Sequence, residues 1–188
     1  DDRAKAIGAV NTVVNKNGTL YGYNTDYYGF LYTLQANNIK VTGEKVLVLG
    51  NGGAAQAILA VLRDLSAKEI VIVKRKSEEG ICSYEEAYTL HSDATVLINT
   101  SPVGMYPKVD ETPTPLTAFP HLTAVVDIIY NPEVTKLLAE ATDRGLIAVN
   151  GLQMLVSQAF YAVQHFLDTT LEERKIEEVT KMIKETLY

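Results

Sequence analysis

The chain has 188 residues, of which 47% are hydrophobic and 21% charged, and its formal net charge is −6. This composition provides enough apolar material for a folded core and excludes a disordered chain. Proteins that bind nucleic acid or an anionic membrane carry a basic surface, so the acidic balance argues against both partners.

The first predicted element is a β-hairpin. Residues 6–14 are rich in Val, Ile and Ala, and the pair Asn17-Gly18 after them is a strong turn signal. Residues 19–23 complete the hairpin as a second strand.

A helical pattern over residues 27–37 follows the hairpin, and the side chain of Thr25 or Asp26 is expected to cap it. Beyond it, apolar runs alternate with helical patterns. The apolar runs lie at residues 46–49, 70–73, 96–98, 124–129 and 146–149, and the helical patterns at 54–62, 84–90 and 133–144. Strands that are apolar throughout indicate a parallel sheet covered on both faces. The predicted fold class is α/β, a doubly wound, Rossmann-type parallel sheet with helices on both faces, preceded by the hairpin.

The second half of the chain contains a long predicted loop and two predicted helices. Five of the six prolines lie between residues 101 and 120, and a loop there follows a strand, where open α/β sheets bind ligands. The helix predicted over residues 152–167 is apolar nearly all round and is expected to be buried. The helix over residues 171–187 starts after Thr170 and carries an apolar stripe that includes Ile176.

The glycine-rich turn at residues 50–55 is the most informative local motif. Gly50-x-Gly52-x-x-Ala55 follows an apolar strand and opens a helix, as in a dinucleotide-binding turn. Glycine permits the positive φ of a tight turn and lets a pyrophosphate approach the backbone. The free N–H groups at the start of the next helix can then bind the phosphate charge.

A run of three bases, Lys74, Arg75 and Lys76, ends the second strand of this unit. NAD-binding members of the fold carry an acidic residue there for the ribose 2′-hydroxyl, and none stands at that point here. Each cation near a phosphate contributes on the order of 1 kcal/mol, so two or three together favour NADP over NAD by roughly two orders of magnitude. The run predicts a 2′-phosphate site, whereas an isolated basic run is usually a solvated turn.

Cysteine content and hydropathy bear on compartment and metal binding. Cys82 is the only cysteine, no Cys/His cluster has zinc spacing, and no stretch approaches the ~18 apolar residues of a membrane span. We therefore expect a cytoplasmic protein with no disulfide and no metal. The chain starts at Asp1 without methionine, and we expect residues upstream of it to be missing.

Six motifs in a fixed order cover almost the whole chain. They are GAVNT at residues 8–12, GYNTD at 22–26, the glycine turn, NTSPVGM at 99–105, DIIYNP at 127–132 and NGLQMLVSQ at 150–158. Together they resemble the shikimate dehydrogenase family. The resemblance implies reduction of 3-dehydroshikimate to shikimate with NADPH, in aromatic amino acid biosynthesis, by an enzyme whose substrate and cofactor lobes flank a cleft.

The resemblance also implies roles for individual side chains. Asp26 matches the catalytic aspartate, and Asn11 matches the asparagine that holds a substrate hydroxyl. Tyr130 and Gln158 match the residues that contact the substrate from the cofactor side. Without the resemblance, Asp26 is more simply a helix N-cap and the other three are structural polar side chains.

Cofactor residues are implied in the same way. Ile128 and Gly151 fall where the family lines the nicotinamide, and Thr100 begins the loop beside it. Arg75 is the one base of the run that the family commonly shares. The other matches bind the pyrophosphate and the 2′-phosphate: Gly50, Asn51, Gly52, Gly53, Ala54, Lys74, Arg75 and Lys76.

One departure from the family concerns its N-terminal lobe, which would precede Asp1. That lobe carries serines that bind the substrate carboxylate and the lysine that pairs with the catalytic aspartate. We expect residues 1–24 to be its remnant, residues 25–167 the NADP-binding domain and residues 168–188 a helix returning toward the lobe. Because ketone reduction needs a proton donor, the chain alone is expected to be inactive.

Two alternative functions stay open at this point. One is an NADP-binding module without catalysis, and the other is a quinate/shikimate dehydrogenase with relaxed cofactor use. The expected partners are shikimate or 3-dehydroshikimate, with no nucleic acid and no membrane. A second copy of the chain is a further expected partner if the C-terminal helix is exposed.

Overall fold

The computed structural model describes residues 1–188, which form a two-stranded hairpin and a six-stranded sheet with helices on both faces. The strands are β1 Thr12–Lys16, β2 Thr19–Tyr23, β3 Lys45–Leu49, β4 Glu69–Lys74, β5 Cys82–Ser83, β6 Val96–Asn99, β7 Ala124–Asp127 and β8 Ile147–Val149. The helices are α1 Asp2–Ile7, α2 Thr25–Ala36, α3 Gly53–Asp64, α4 Tyr84–Leu90, α5 Lys136–Asp143, α6 Leu152–Leu167 and α7 Arg174–Leu187.

The six strands of the large sheet are all parallel and lie in the order β5-β4-β3-β6-β7-β8. The winding direction reverses between β3 and β6, which are neighbours in the sheet but not in the chain. This is the strand order of dinucleotide-binding folds, whose ligand crevice lies outside the carboxyl ends of the strands at the reversal. The predicted fold class is confirmed.

The central strand β3 is buried on both faces. Val46 and Val48 pack in one apolar cluster with residues of α2, α3 and α6, whereas Leu47 and Leu49 pack in another with residues of α4 and α5. None of these four side chains has exposed surface. Successive side chains of a strand point to opposite faces, so an apolar run is what a sheet covered on both sides requires.

The N-terminal segment differs from the prediction. Residues 2–7 form the short helix α1, and the strand that was predicted at residues 6–14 begins only at Thr12. Asp1 caps this helix through its side chain, and Gly8 ends it at φ 75°. Stabilising caps at both ends outweigh the β-branched residues that indicated a strand.

The hairpin itself is confirmed and is attached to the end of α6. Both central residues of its turn have positive φ, as the two-residue turn requires. Lys16 Nζ lies 2.7 Å from Asp168 Oδ1, and the Tyr23 ring stacks on His165 with centroids 3.8 Å apart. These contacts fix the hairpin beside α6.

The cap of α2 is Asn24, so the prediction that Thr25 or Asp26 caps this helix is wrong. The Asn24 side chain accepts a hydrogen bond from the Tyr27 N–H, and its backbone is extended at φ −120°. Thr25 is already helical. The side chains of Thr25 and Asp26 therefore lie in the first turn, where they make other contacts.

The connections after β6 and β7 adjust two predicted boundaries. Residues 101–120 form the predicted long loop, within which Leu116–Ala118 is a short 3₁₀ turn. The strand predicted to residue 129 ends at Asp127, and the helix predicted from residue 133 begins at Lys136, where Thr135 caps it. The two-residue strand β5 was not predicted.

The helix α6 is less buried than predicted, and α7 is mostly exposed. α6 has the predicted bounds, but most of its buried residues lie in its first half, and Phe166 and Leu167 near its end are 56% and 63% exposed. α7 begins three residues later than predicted, without a side-chain cap, and Ile176 is its only buried residue. Self-association through the exposed part of α7 stays a prediction. No helix combines the length and the apolar character that a membrane crossing requires.

Candidate cofactor and substrate site

The turn after β3 requires glycine at its first position. Gly50 has φ 103°, and a Cβ atom there would lie 2.8 Å from Thr100 Oγ1. The Thr100 hydroxyl in turn donates to the Leu49 carbonyl at 2.8 Å. The loops after β3 and β6 therefore touch at the reversal point of the sheet, where a side chain on Gly50 would separate them.

The start of α3 is open to an anion. Gly52 is its N-cap and offers no side-chain oxygen, and Gly53 begins the helix. The first N–H groups of a helix have no partner within it, and the helix dipole adds positive charge there. Asn51 beside them is held by Gln56, whose Nε2 donates to Asn51 Oδ1 at 2.7 Å. This geometry fits a pyrophosphate.

The three bases lie on the wall of a cavity of about 910 Å³ at the carboxyl end of β3 and β4. Lys74, Arg75 and Lys76 line it together with Gly50 and Asn51. The first two residues of the glycine turn and the basic run thus face one space, whereas Gly52, Gly53 and Ala54 do not line it. The proximity of a phosphate-binding turn and three cations fits a nucleotide with an extra phosphate.

This cavity is also lined by two residues that sequence reasoning missed, Glu78 and Tyr84. Glu78 Oε1 lies 3.0 Å from Lys74 Nζ, and Tyr84 begins α4. Burial raises the pKa of Tyr84, and the charge of Arg75 opposes that rise. The signal for Glu78 was its position four residues after Lys74, but no periodic pattern in the loop indicated the pairing.

A second cavity, of about 340 Å³, adjoins the first. Thr100, Ile128 and Tyr130 line it from the loops after β6 and β7. Both cavities share four lining residues: Ser101, Pro102, Met105 and Tyr106. Together they form a groove along the carboxyl edge of the sheet, with the basic run on one part and Tyr130 on the other.

A buried carboxylate joins the two loops that form the second cavity. Asp127 Oδ1 accepts from Asn99 Nδ2 at 3.0 Å and from the Ile129 N–H at 3.1 Å, and Oδ2 accepts from Thr135 Oγ1 at 2.8 Å. Asn99 Oδ1 accepts from the Ser101 N–H. Burial raises the pKa of Asp127 to about 6, although these hydrogen bonds favour the ionised form.

The backbone of Gly151 packs closely against the backbone of Ile128. Its N–H donates to the Ile129 carbonyl at 2.9 Å, and a Cβ atom would lie 1.9 Å from the Ile128 carbonyl oxygen. Gly151 is buried and lines neither cavity. Its direct contact with a nicotinamide therefore stays a prediction.

The predicted substrate residues Asn11, Asp26 and Gln158 converge around the start of α2. Asn11 Oδ1 accepts from the Thr25 N–H at 2.8 Å. The Thr25 hydroxyl lies 3.2 Å from Asn11 Oδ1 and 3.4 Å from Gln158 Oε1, so it can donate to either. Thr25, which is fully buried, is the link that sequence reasoning missed.

Asp26 is half-buried in this cluster. Burial raises the pKa of its carboxyl, and a hydrogen bond with Asn11 opposes the rise. No lysine or arginine contributes to the shift. The chain therefore gives Asp26 a polar neighbour but no cationic partner.

Helix α2 approaches α6 at Gly29. A Cβ atom on Gly29 would lie 2.9 Å from Gln158 Cβ and 2.9 Å from the Met154 carbonyl oxygen. Only glycine permits this approach, which holds Thr25 against Gln158. Neither of the two cavities is lined by a residue of this cluster. The structure thus places Tyr130 on the groove, and Gln158 with Asn11 and Asp26.

Comparison with known proteins finds relatives of similar sequence. No protein-family model matches it. The shikimate dehydrogenase (NADP(+)) of Clostridium perfringens is 42% identical over 190 residues, which cover 94% of this chain and 70% of the relative. The chain belongs to the shikimate dehydrogenase family. The resemblance seen in the sequence motifs is confirmed.

Solved structures of shikimate dehydrogenases share the fold. A chorismate mutase/shikimate 5-dehydrogenase fusion protein from Clostridium acetobutylicum superposes with a TM-score of 0.94 at 37% identity, over 100% of this chain and 71% of the other. Shikimate 5-dehydrogenase from Thermus thermophilus, in complex with NADP(H) and shikimate, gives 0.82 at 34% identity, over 97% and 71%. NADP, which is named for the Clostridium perfringens relative and for the Thermus thermophilus complex, is the cofactor that the basic run predicted.

Proposed function

We propose that this chain binds NADP in the groove at the carboxyl edge of its sheet and contributes to reduction of 3-dehydroshikimate to shikimate. The observation that carries the proposal is that the basic run, residues 74–76, lines one cavity with Gly50 and Asn51 of the glycine turn. Relatives of this family carry NADP in their names. The fit is also steric, because the Gly50 turn and the uncapped start of α3 leave backbone N–H groups accessible.

On the cofactor side, each part of the groove has a distinct task. The bases bind the 2′-phosphate, and Gly50, Asn51, Gly52, Gly53 and Ala54 hold the pyrophosphate. Thr100 and Ile128 orient the nicotinamide, with Gly151 behind Ile128. When bound, the reduced cofactor supplies the hydride, and the residues of this chain position it and exclude water.

On the substrate side, Asn11, Tyr130 and Gln158 orient the substrate and Asp26 serves the proton transfer. The carbonyl oxygen gains a proton as it is reduced, so a donor must stand beside it. The raised pKa of Asp26 brings its carboxyl closer to the range in which it can exchange a proton. We assign residues 1–24 to the substrate lobe, residues 25–167 to the cofactor domain and residues 168–188 to a returning helix.

A second candidate function is NADP binding without turnover by these 188 residues. The observation that favours it is that no cation contributes to the pKa of Asp26. A lysine next to a catalytic carboxylate would supply the proton, and no lysine here fills that position. We therefore propose that the chain alone binds the cofactor but turns substrate over very slowly.

Two measurements test these proposals together. Calorimetric titration with NADP and NAD is expected to give tighter binding of NADP, and equal affinities or no binding would contradict the cofactor assignment. A steady-state assay of NADP reduction with shikimate is expected to give little turnover. Turnover at a rate typical of enzymes, of order 1–10³ s⁻¹, would contradict the second candidate. A parallel assay with quinate tests the alternative substrate.

A further inference from the structure

The charges around the larger cavity are partly neutralised by the chain itself. Four cations line it: Lys74, Arg75, Lys76 and Lys108. Two of them are paired with carboxylates of the same wall, Lys74 with Glu78 at 3.0 Å and Lys108 with Glu111 at 3.6 Å. Arg75 and Lys76 form no ion pair within the chain. Only two of the four cations are therefore free of a carboxylate partner and available to an anionic ligand.

Glu78 is held in place by the backbone. Its N–H donates to the Ile81 carbonyl at 3.0 Å, and the Ile81 N–H donates back at 2.9 Å. Gly80 between them has φ 72°, which closes this small turn. These bonds fix the backbone of Glu78, which lines the cavity four residues beyond the end of β4.

A carboxylate at this place acts differently on the two nicotinamide dinucleotides. A 2′-phosphate carries about two negative charges, so it is repelled by Glu78 and must compete with it for Lys74. A free ribose 2′-hydroxyl donates a hydrogen bond, and an acidic residue beyond the second strand is what NAD-binding sheets use to accept it. Glu78 therefore disfavours NADP and is compatible with NAD.

We propose that Glu78 is a specificity-determining residue that lowers the preference of this site for NADP over NAD. The inference rests on the proposed cofactor function and refines it. Arg75 and Lys76 make the phosphate contacts that select for NADP, while Lys74 is shared between the ligand and Glu78. The preference of the wild-type chain is consequently smaller than three free bases would give.

The test compares Glu78→Gln with the wild type in titrations with NADP and NAD at low ionic strength. Two charges about 5 Å apart in water interact by on the order of 1 kcal/mol, so removal of the carboxylate is expected to tighten NADP binding about fivefold. Affinity for NAD is expected to stay the same or fall. The gain for NADP should shrink in about 1 M salt, because the Debye length there is about 3 Å.

Glu79→Gln is the matched control, because Glu79 is the adjacent residue, lies outside both cavities and forms no ion pair. It is expected to bind both nucleotides as the wild type does. The inference is overturned if Glu78→Gln leaves the ratio of affinities unchanged, or if Glu79→Gln shifts it equally. If the wild type binds neither nucleotide, the proposed function fails instead. A thermal melt of each variant confirms that it is folded.

Discussion

Gly50 illustrates how a single residue serves both the fold and the site. Its positive φ and the 2.8 Å approach of Thr100 Oγ1 to a Cβ position concern the chain itself. Gly52, two residues on, has an extended backbone and no atom within 4 Å of a Cβ position. Its requirement for glycine, if the turn holds a pyrophosphate, comes from the ligand alone.

Alanine at each of these glycines should therefore separate the two requirements. Gly50→Ala is expected to lower the free energy of unfolding by about 1–3 kcal/mol because it strains the backbone. Gly52→Ala is expected to leave stability within about 0.5 kcal/mol and to weaken NADP binding. Urea unfolding and calorimetric titration measure the two effects. Unchanged NADP affinity in Gly52→Ala would argue against a pyrophosphate over this turn.

Asp127 gives the folded chain a distinctive pH dependence. Its native pKa of about 6 lies above its ordinary value of 3.8, so the folded state binds more protons than the unfolded state between these values. The free energy of unfolding contributed by this residue is therefore largest below about pH 4 and is lost as the pH rises through about 6. A difference of this size corresponds to roughly 3 kcal/mol.

Asp127→Asn is expected to remove this contribution, because an amide does not titrate and its NH₂ can donate to Thr135 Oγ1. The measurement is chemical unfolding of both proteins at several pH values between about 4 and 7. The curve of the variant should lack the decline that Asp127 causes in the wild type. Asp143→Asn, at an exposed position of α5, is the control and should leave the curve unchanged. Parallel curves for wild type and Asp127→Asn would contradict the assignment.

At the scale of secondary structure elements, the sequence predicts what depends on neighbours in the chain. The apolar strands β3, β4 and β6 were recognised because burial on both faces leaves a continuous apolar run. β5 was not, because two residues become a strand only when Val73 and Lys74 of β4 lie beside them. The helix α1 was not predicted, because its composition favours a strand and its stability depends on the caps at Asp1 and Gly8.

The crossing of α2 and α6 gives a prediction at this scale. Gly29→Ala would force the helices apart, and overpacking of this kind destabilises a fold by about 1–3 kcal/mol. The higher helix propensity of alanine stabilises α2 by up to about 1 kcal/mol and offsets part of this loss. We expect a net loss of about 1–2 kcal/mol in urea unfolding. Gly53→Ala is the matched control, since its Cβ would meet nothing within 4 Å. Equal stability of the two variants would contradict the steric role of Gly29.

At the scale of the whole molecule, the site is assembled from distant parts of the chain. The motifs indicated which residues belong to the site but not their partners. The bridge from Asp127 to Asn99 depends on where the chain folds back, and no local pattern encodes that. Lys74 and Glu78 are only four residues apart, but that spacing alone did not indicate their ion pair. The contact of Thr25 with Asn11 and Gln158 was not predicted either, because the sequence pattern indicated Thr25 or Asp26 as the helix cap.

Nucleotide binding should be visible in the stability of the whole chain. A ligand that binds only the folded state stabilises it by about 2.7 kcal/mol at a hundredfold excess over its Kd. NADP is therefore expected to raise the melting temperature more than NAD at equal concentration. Arg75→Ala should abolish most of that difference, whereas Arg63→Ala, an exposed arginine at the end of α3, should retain it. A preserved difference in Arg75→Ala would argue against a phosphate contact by Arg75.

Four residues line both cavities of the groove, so they would contact a ligand in either one. Because Ser101, Pro102, Met105 and Tyr106 line both cavities, any shift of these residues when one cavity is filled would change the shape of the other. Such an effect would be reciprocal: if a ligand in one cavity changes the affinity of the other cavity by some factor, the second ligand changes the affinity for the first by the same factor. The adenosine end and the nicotinamide end of a dinucleotide would then be sensed by a single stretch of chain.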